Sequence, residues 1–149
     1  MRLREAVGAI VLDGNGNVIA FRRADFPENW QGPEGGLEEG ETPEEALARE
    51  LEEEVGLARS QFRVLGRTKT FIPYLFGDGK KSRQDCDGQR KMFFLIKITD
   101  PLAQFSYDRV AEEVEFTDHR TVTAPELVEL VPQFKRDLYR SVLTEFGLL

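Results

Sequence analysis

Three glutamates in one short stretch could do chemistry. Glu50, Glu53 and Glu54 stand in "TPEEALARELEEEVGL", Thr42 to Leu57. A helix turns by about 100° per residue, so these carboxylates fall within one arc of roughly 100°. Leu47, Leu51 and Val55 fall in the neighbouring arc and are expected to face the core. The three carboxylates thus flank the buried edge, whereas Glu45 and Glu52 point to the far, solvated side. Like charges at this spacing weaken a helix by a few tenths of a kcal/mol per pair. Within the stretch only Arg49 answers them. Three converging oxygen ligands suit a hard divalent ion, Mg²⁺ or Mn²⁺, and such an ion removes the repulsion. Arg49 precedes Glu53 by four residues and is placed to orient it. A solvated acidic face is the competing reading.

The elements that must position these residues are legible around them. Thr42 is suited to cap the helix, Pro43 takes its first position, and Glu44 and Glu45 favour its positive end. Gly56 is expected to close it. The preceding "FPENWQGPEGG", Phe26 to Gly36, is rich in Pro and Gly and predicts loop. Its glycines let backbone approach a ligand at the helix mouth. "AVGAIVL" and "VIAFRRA" around "DGNGN" predict a hairpin. "FRVLGRTKTFIPYLF" (62–76), "KMFFLIKI" (91–98) and "VEFTDHRTV" (114–122) predict strands, the second of them central. Residues 77–90 and 100–113 predict loops. Thr123 and Glu126 form a possible capping box, and "QFKRDLYRSVLTEFG" sets Phe134, Leu138, Val142 and Phe146 at helical spacing. Strands mix with two main helices, so the fold class is α/β or α+β with a mixed sheet.

Charge separates this stretch from the rest of the chain. The net charge is −7 over 149 residues, with 40% hydrophobic and 32% charged residues, a globular balance. From Glu34 to Glu54 ten glutamates face one arginine, a local −9, while the remaining residues carry 17 acids and 19 bases, or +2. That pattern fits a cation-loaded site facing a polyanion. A single domain over residues 1–149 is expected. No run of about 18 apolar residues crosses a membrane, and no cleavage site follows the first apolar run, so no signal peptide is expected. The lone Cys86 forms no internal disulfide and sits in a polar segment. A reducing cytoplasm is the expected location. His119 is the only histidine, and no nucleophilic Ser or Cys motif accompanies it, which argues against a Ser-His triad.

The spacing from Gly35 through Glu41, Arg49-Glu50-Leu51, Glu53-Glu54 and Gly56-Leu57 matches every fixed position of the 23-residue Nudix signature. The chain therefore resembles the Nudix hydrolases. "WQGPEGG", "GQRKMFFLIKI", "VEFTDHRTV" and "FKRDLYRSVLTEF" resemble stretches of the RNA pyrophosphohydrolase and diadenosine polyphosphate hydrolase subgroup. The resemblance implies an α/β/α sandwich with a mixed sheet and metal-dependent hydrolysis of a phosphoanhydride. It implies metal binding by Glu50, Glu53, Glu54 and Glu115, with the general base among Glu53, Glu54 and Glu115. Glu115 lies close to Glu112 and Glu113 in sequence. Gly35, Glu41, Arg49 and Gly56 take structural positions of the signature. Arg22 and Arg23 match a basic pair, and Phe134 and Lys135 match residues beside the first nucleotide. By pattern alone, Arg22, Arg23 and Lys135 also read as surface charges and Phe134 as core. Glu34 stands where the subgroup usually has glutamine, Gly32 where a bulkier residue is usual, and His119 and Thr121 where tryptophans are common.

The leading expectation is removal of pyrophosphate from the 5′-triphosphate end of RNA, a step of mRNA decay. The alternatives are hydrolysis of diadenosine polyphosphates or (d)NTPs and, more distantly, a nucleotide-sensing module without turnover. The expected partner is an RNA 5′ end or nucleotide, with no membrane.

Overall fold

A computed structural model describes residues 2–76, 86–107 and 114–149. The strands, in chain order, are β1 (Leu3–Leu12), β2 (Val18–Arg23), β3 (Trp30–Gln31), β4 (Glu34–Gly36), β5 (Phe62–Arg67), β6 (Ile72–Leu75), β7 (Gly88–Ile98) and β8 (Phe116–Val122). The helices are α1 (Pro43–Val55), α2 (Ala124–Leu130) and α3 (Arg136–Glu145). β1 and β7 run parallel from Leu3↔Gly88 to Leu12↔Lys97. Every other pairing among the described residues is antiparallel, so the eight strands form one mixed sheet. The β1–β2 hairpin has the register that its Gly/Asn turn predicts, Val11↔Ile19.

Alternation along β1 divides the core. Val7, Ala9 and Val11 pack with Phe21, Phe94 and Ile96 beneath α1, which contributes Leu47, Leu51 and Val55. Ile10 and Leu12 pack with Ala20 and Phe93 beneath α2 and α3, which contribute Leu127, Leu138 and Val142. Period-two strands between amphipathic helices give the α/β/α sandwich.

The edges of the two long strands are each shared. β4 pairs with the first half of β1 (Gly8↔Glu34), and β2 pairs with its end. β6 and β5 divide β7 in the same way. These splits let the short strands diverge and open a cleft.

Some expectations change. "FPENWQGPEGG" is not all loop, because Trp30–Gln31 and Glu34–Gly36 are strands. Two or three residues carry no readable period, and their backbones pair with β2 and β1. Residues 62–76 form two strands, and β7 begins at Gly88, before its apolar run. The end of the expected loop before β7 is not solvated, since Cys86 is buried. Residues 77–85 and 108–113, predicted as loop, lie outside the described residues. Phe134 does not share the core face of α3. It sits in the 3₁₀ turn Gln133–Lys135 that follows Pro132 and is 58% exposed.

Candidate active site

α1 begins and ends as its sequence directs. Thr42 Oγ1 accepts from Glu45 N while the Glu45 carboxylate accepts from Thr42 N, a reciprocal capping box. Glu45 therefore works at the helix start rather than being only solvated. Gly56 ends α1 with φ +73°, a left-handed conformation that favours glycine.

Arg49 organises the acidic face. Its Nε and Nη2 donate to the two oxygens of Glu41 at 2.7 and 2.9 Å. Nη1 donates to Glu50 at 2.8 Å and to Glu53 at 3.2 Å, and Nη2 also donates to the Gly36 carbonyl at 2.9 Å. The bond from Arg49 is the main cause that holds the Glu41 carboxyl below its usual range. In return Glu41, and after it Glu50, strengthen the hold of Arg49 on its proton against the opposing effect of burial. One guanidinium thus ties α1 to the loop before it and partly neutralises two of the three candidate ligands. Gly35 completes the arrangement. A Cβ there would collide with the Glu50 carboxylate, so glycine lets that side chain lie against β4.

Glu54 has no such compensation. Its residue is 7% exposed, and among the described residues its Oε2 has no hydrogen-bond partner. Burial, then Glu50, then the charges of Glu115 and Glu53, raise its pKa well above the usual carboxylate range. A buried carboxylate with an unpartnered oxygen beside three others has the donor chemistry for a divalent cation. Among the described residues no three His, Cys, Asp or Glu side chains already stand in a ligating arrangement, and Arg49 draws Glu50 and Glu53 to itself.

Beside the carboxylates lies a cleft of about 250 Å³. Gly35 and Glu115 stand in one part of its wall, and Arg23, Gln31, Glu34, Lys91 and Lys135 line its floor. Gln31 Oε1 accepts from Arg23 Nη1 at 3.3 Å and from Lys135 Nζ at 3.2 Å. Glu34 Oε1 accepts from Lys135 Nζ at 3.1 Å and from Lys91 Nζ, and its Oε2 accepts from the Tyr139 hydroxyl. Asp25 pairs with Arg23 at 2.8 Å. The result is a row, Asp25–Arg23–Gln31–Lys135–Glu34–Lys91, of alternating donors and acceptors. Burial, then the charge of Arg23, lower the Lys135 pKa to about 7, while Glu54, Asp25 and Glu115 act in the opposite sense. For Lys91, burial and then the charges of Lys135 and Arg23 pull the pKa well below the lysine range. Its ammonium touches the Glu34 carboxylate. Phe134 and Tyr74 stand at the mouth, ring centroids 6.3 Å apart.

The geometry sorts the residues expected from sequence. Glu50, Glu53 and Glu54 share one face of α1, and Glu115, Arg23, Phe134 and Lys135 line the adjoining cleft. Lys135 is buried rather than an exposed helix charge. Arg22 is separated from this group. Successive strand residues point to opposite faces, so Arg22 leaves the cleft to Arg23. It lies over the Trp30 ring, 5.9 Å from its centroid, and donates to Thr117. Trp30 is packed between charges, with Arg120 over the same ring. Lys91, Gln31, Tyr139 and Tyr74 went unread as site residues, and Glu34 was noted only as a departure. A signal existed for one: Lys91 opens an apolar run, where a lysine needs a partner.

Residues 2–142 match the NUDIX domain family. The fold and the signature helix agree with that match, and the chain belongs to the Nudix family and is a Nudix hydrolase. Nudix hydrolases generally need divalent metal ions. Among curated relatives, an RNA pyrophosphohydrolase of Coxiella burnetii is 39% identical over 97% of this chain and 64% of its own length. Another, from Alkalilimnicola ehrlichii, is 40% identical over 98% of this chain and 81% of its own length. This chain thus spans just under two thirds of the first relative. Among solved structures, the E. coli dihydroneopterin triphosphate pyrophosphohydrolase superposes with a TM-score of 0.71 at 17% identity, covering 95% of this chain and 97% of that one. No helix among the described residues is long and apolar enough to cross a membrane.

Proposed function

We propose that this chain, as a single Nudix domain over residues 1–149, removes pyrophosphate from the 5′-triphosphate end of RNA in the cytoplasm. The observation that carries the proposal is the cleft itself. A cationic floor of Arg23 and Lys135 adjoins the carboxylates of α1 and Glu115, with the exposed Phe134 ring and the half-buried Tyr74 ring beside it. That arrangement suits a polyphosphate attached to a base, and relatives named RNA pyrophosphohydrolase supply the substrate class.

Glu50, Glu53, Glu54 and Glu115 would hold Mg²⁺ or Mn²⁺. When bound, such an ion neutralises charge developing on the phosphates and acidifies a water. A carboxylate among Glu53, Glu54 and Glu115 takes the proton of the attacking water. Arg23 and Lys135 hold non-bridging phosphate oxygens through charge-assisted bonds. Phe134 and Tyr74 offer a stacking face to the first bases. Gly35, Glu41, Arg49 and Gly56 keep α1 and its preceding loop in register with the cleft.

The test is a panel with Mg²⁺: triphosphorylated RNA, diadenosine tetraphosphate, dGTP and ADP-ribose. RNA converted to the 5′-monophosphate with pyrophosphate released is the expected result. Cleavage of free nucleotides alone would refute the RNA assignment, and binding without any turnover would point to a sensing module.

A further inference from the structure

The row across the cleft floor contains one acceptor shared by two lysines. Glu34 Oε1 accepts from both Lys135 Nζ and Lys91 Nζ, while Tyr139 occupies Oε2. The two lysines differ in what else they can reach. Lys91 is 2% exposed, belongs to β7, and has its ammonium 4.8 Å from the Tyr74 ring centroid. It is enclosed between that ring and Glu34. Lys135 is buried too, at 7% exposed, but belongs to the 3₁₀ turn beside the exposed Phe134, and its ammonium bonds two acceptors of the cleft floor. In the free protein its ammonium is held by Glu34 and by Gln31, which also accepts from Arg23.

A lysine bonded to a buried carboxylate is poorly available to a phosphate. Leaving that carboxylate without a cation in a low-dielectric floor is costly. The exchange becomes easy only if a second cation stays behind. We infer that Lys91 is a positioning residue: it keeps Glu34 neutralised so that Lys135 can exchange its bond to Glu34 for one to a substrate phosphate. Glu34 holds Lys135 until a phosphate competes for it, and Lys91 makes that hold reversible. The pair Glu34–Lys91 thereby sets how much of the binding energy of Lys135 reaches the polyphosphate. This rests on the proposed role of Lys135 as a phosphate contact.

Steady-state kinetics on triphosphorylated RNA with Mg²⁺ tests it, with thermal melting as the control for folding. Lys91→Gln leaves Glu34 to Lys135 and Tyr139 alone, so Lys135 is held more tightly. KM is expected to rise several-fold with kcat within twofold. Glu34→Gln/Lys91→Gln removes both charges together and is expected to return KM to the wild-type value. A merely structural role for Lys91 moves melting temperature and kcat together and is not rescued in KM alone. Unchanged KM in Lys91→Gln overturns the inference. If Lys135→Gln raises KM in that case, the phosphate role of Lys135 stands without it. If Lys135→Gln also leaves KM unchanged, that role has failed too. A raised KM that the double variant does not restore likewise overturns the coupling. Should Lys91→Gln not fold, Glu34→Gln decides. It frees Lys135, so KM should stay level or fall, and a tenfold rise means that Glu34 holds Lys135 in its working place rather than parking it.

Discussion

Replacing Glu54 by glutamine should make the metal-free protein more stable while nearly abolishing catalysis. The carboxylate is buried, its Oε2 is unpartnered among the described residues, and Glu50, Glu115 and Glu53 all push its pKa up. Leaving a buried polar atom unsatisfied costs on the order of 1–3 kcal/mol, and more when it is charged. Glutamine removes the charge and supplies an N–H that can donate toward Glu50. A gain of about 1–3 kcal/mol follows, or roughly 2–10 °C in Tm for a chain of this size. The sign depends on pH. Raised above its unfolded value, the Glu54 pKa adds stability only while the carboxyl is protonated, below the ordinary carboxylate range, and that stability is lost as pH rises through the folded value. The advantage of Glu54→Gln should therefore be smallest below the ordinary carboxylate range and grow as pH rises above it. Divalent cation should reverse the order by stabilising the wild type more than the variant. Calorimetric melting in chelator and in millimolar Mg²⁺, across that range, reads all three effects. A metal-free variant that melts at or below the wild-type temperature at pH 7.5 refutes the reasoning. So does hydrolysis within tenfold of wild type.

Other perturbations have equally definite outcomes. Arg49→Lys loses the forked bond to Glu41 and cannot also reach Glu50, Glu53 and the Gly36 carbonyl. Urea denaturation should show a loss of about 2–4 kcal/mol. Gly35→Ala drives a Cβ into the Glu50 carboxylate, so turnover should fall tenfold or more while the far-UV circular dichroism stays that of a folded protein. Phe134→Ala should change stability by less than about 0.5 kcal/mol, because the ring is exposed, yet raise KM for RNA several-fold. Arg23→Ala should weaken substrate binding far more than Arg22→Ala, which is expected to act on stability through Trp30 and Thr117.

Some of this site could be read from residue types and spacing because the relations involved are local. Glu50, Glu53 and Glu54 lie within a turn and a half of one helix, so helical geometry alone places them together. Thr42, Pro43, Glu45 and Gly56 bound that helix by rules that act over three or four residues. The separation of Arg22 from Arg23 was also within reach, since adjacent strand residues face opposite ways. Pro132 likewise marks the break that takes Phe134 off the core face of α3.

What required the tertiary structure is everything that joins distant segments. Lys91 meets Glu34 because β7 lies parallel to β1 while β4 pairs with the first half of β1. Lys135 and Tyr139 reach the same carboxylate from the 3₁₀ turn and α3, 101 and 105 residues away in sequence. No local period encodes such a meeting, because the partners are chosen by strand order and layer packing. Burial is decided the same way. Glu52, Glu53 and Glu54 are neighbours in sequence, yet only Glu54 is covered by the sheet and left with an unpartnered oxygen. The residue types set out the chemistry of the carboxylates, and the packing of the sheet against α1 decides which of them bears the strain that a cation can relieve.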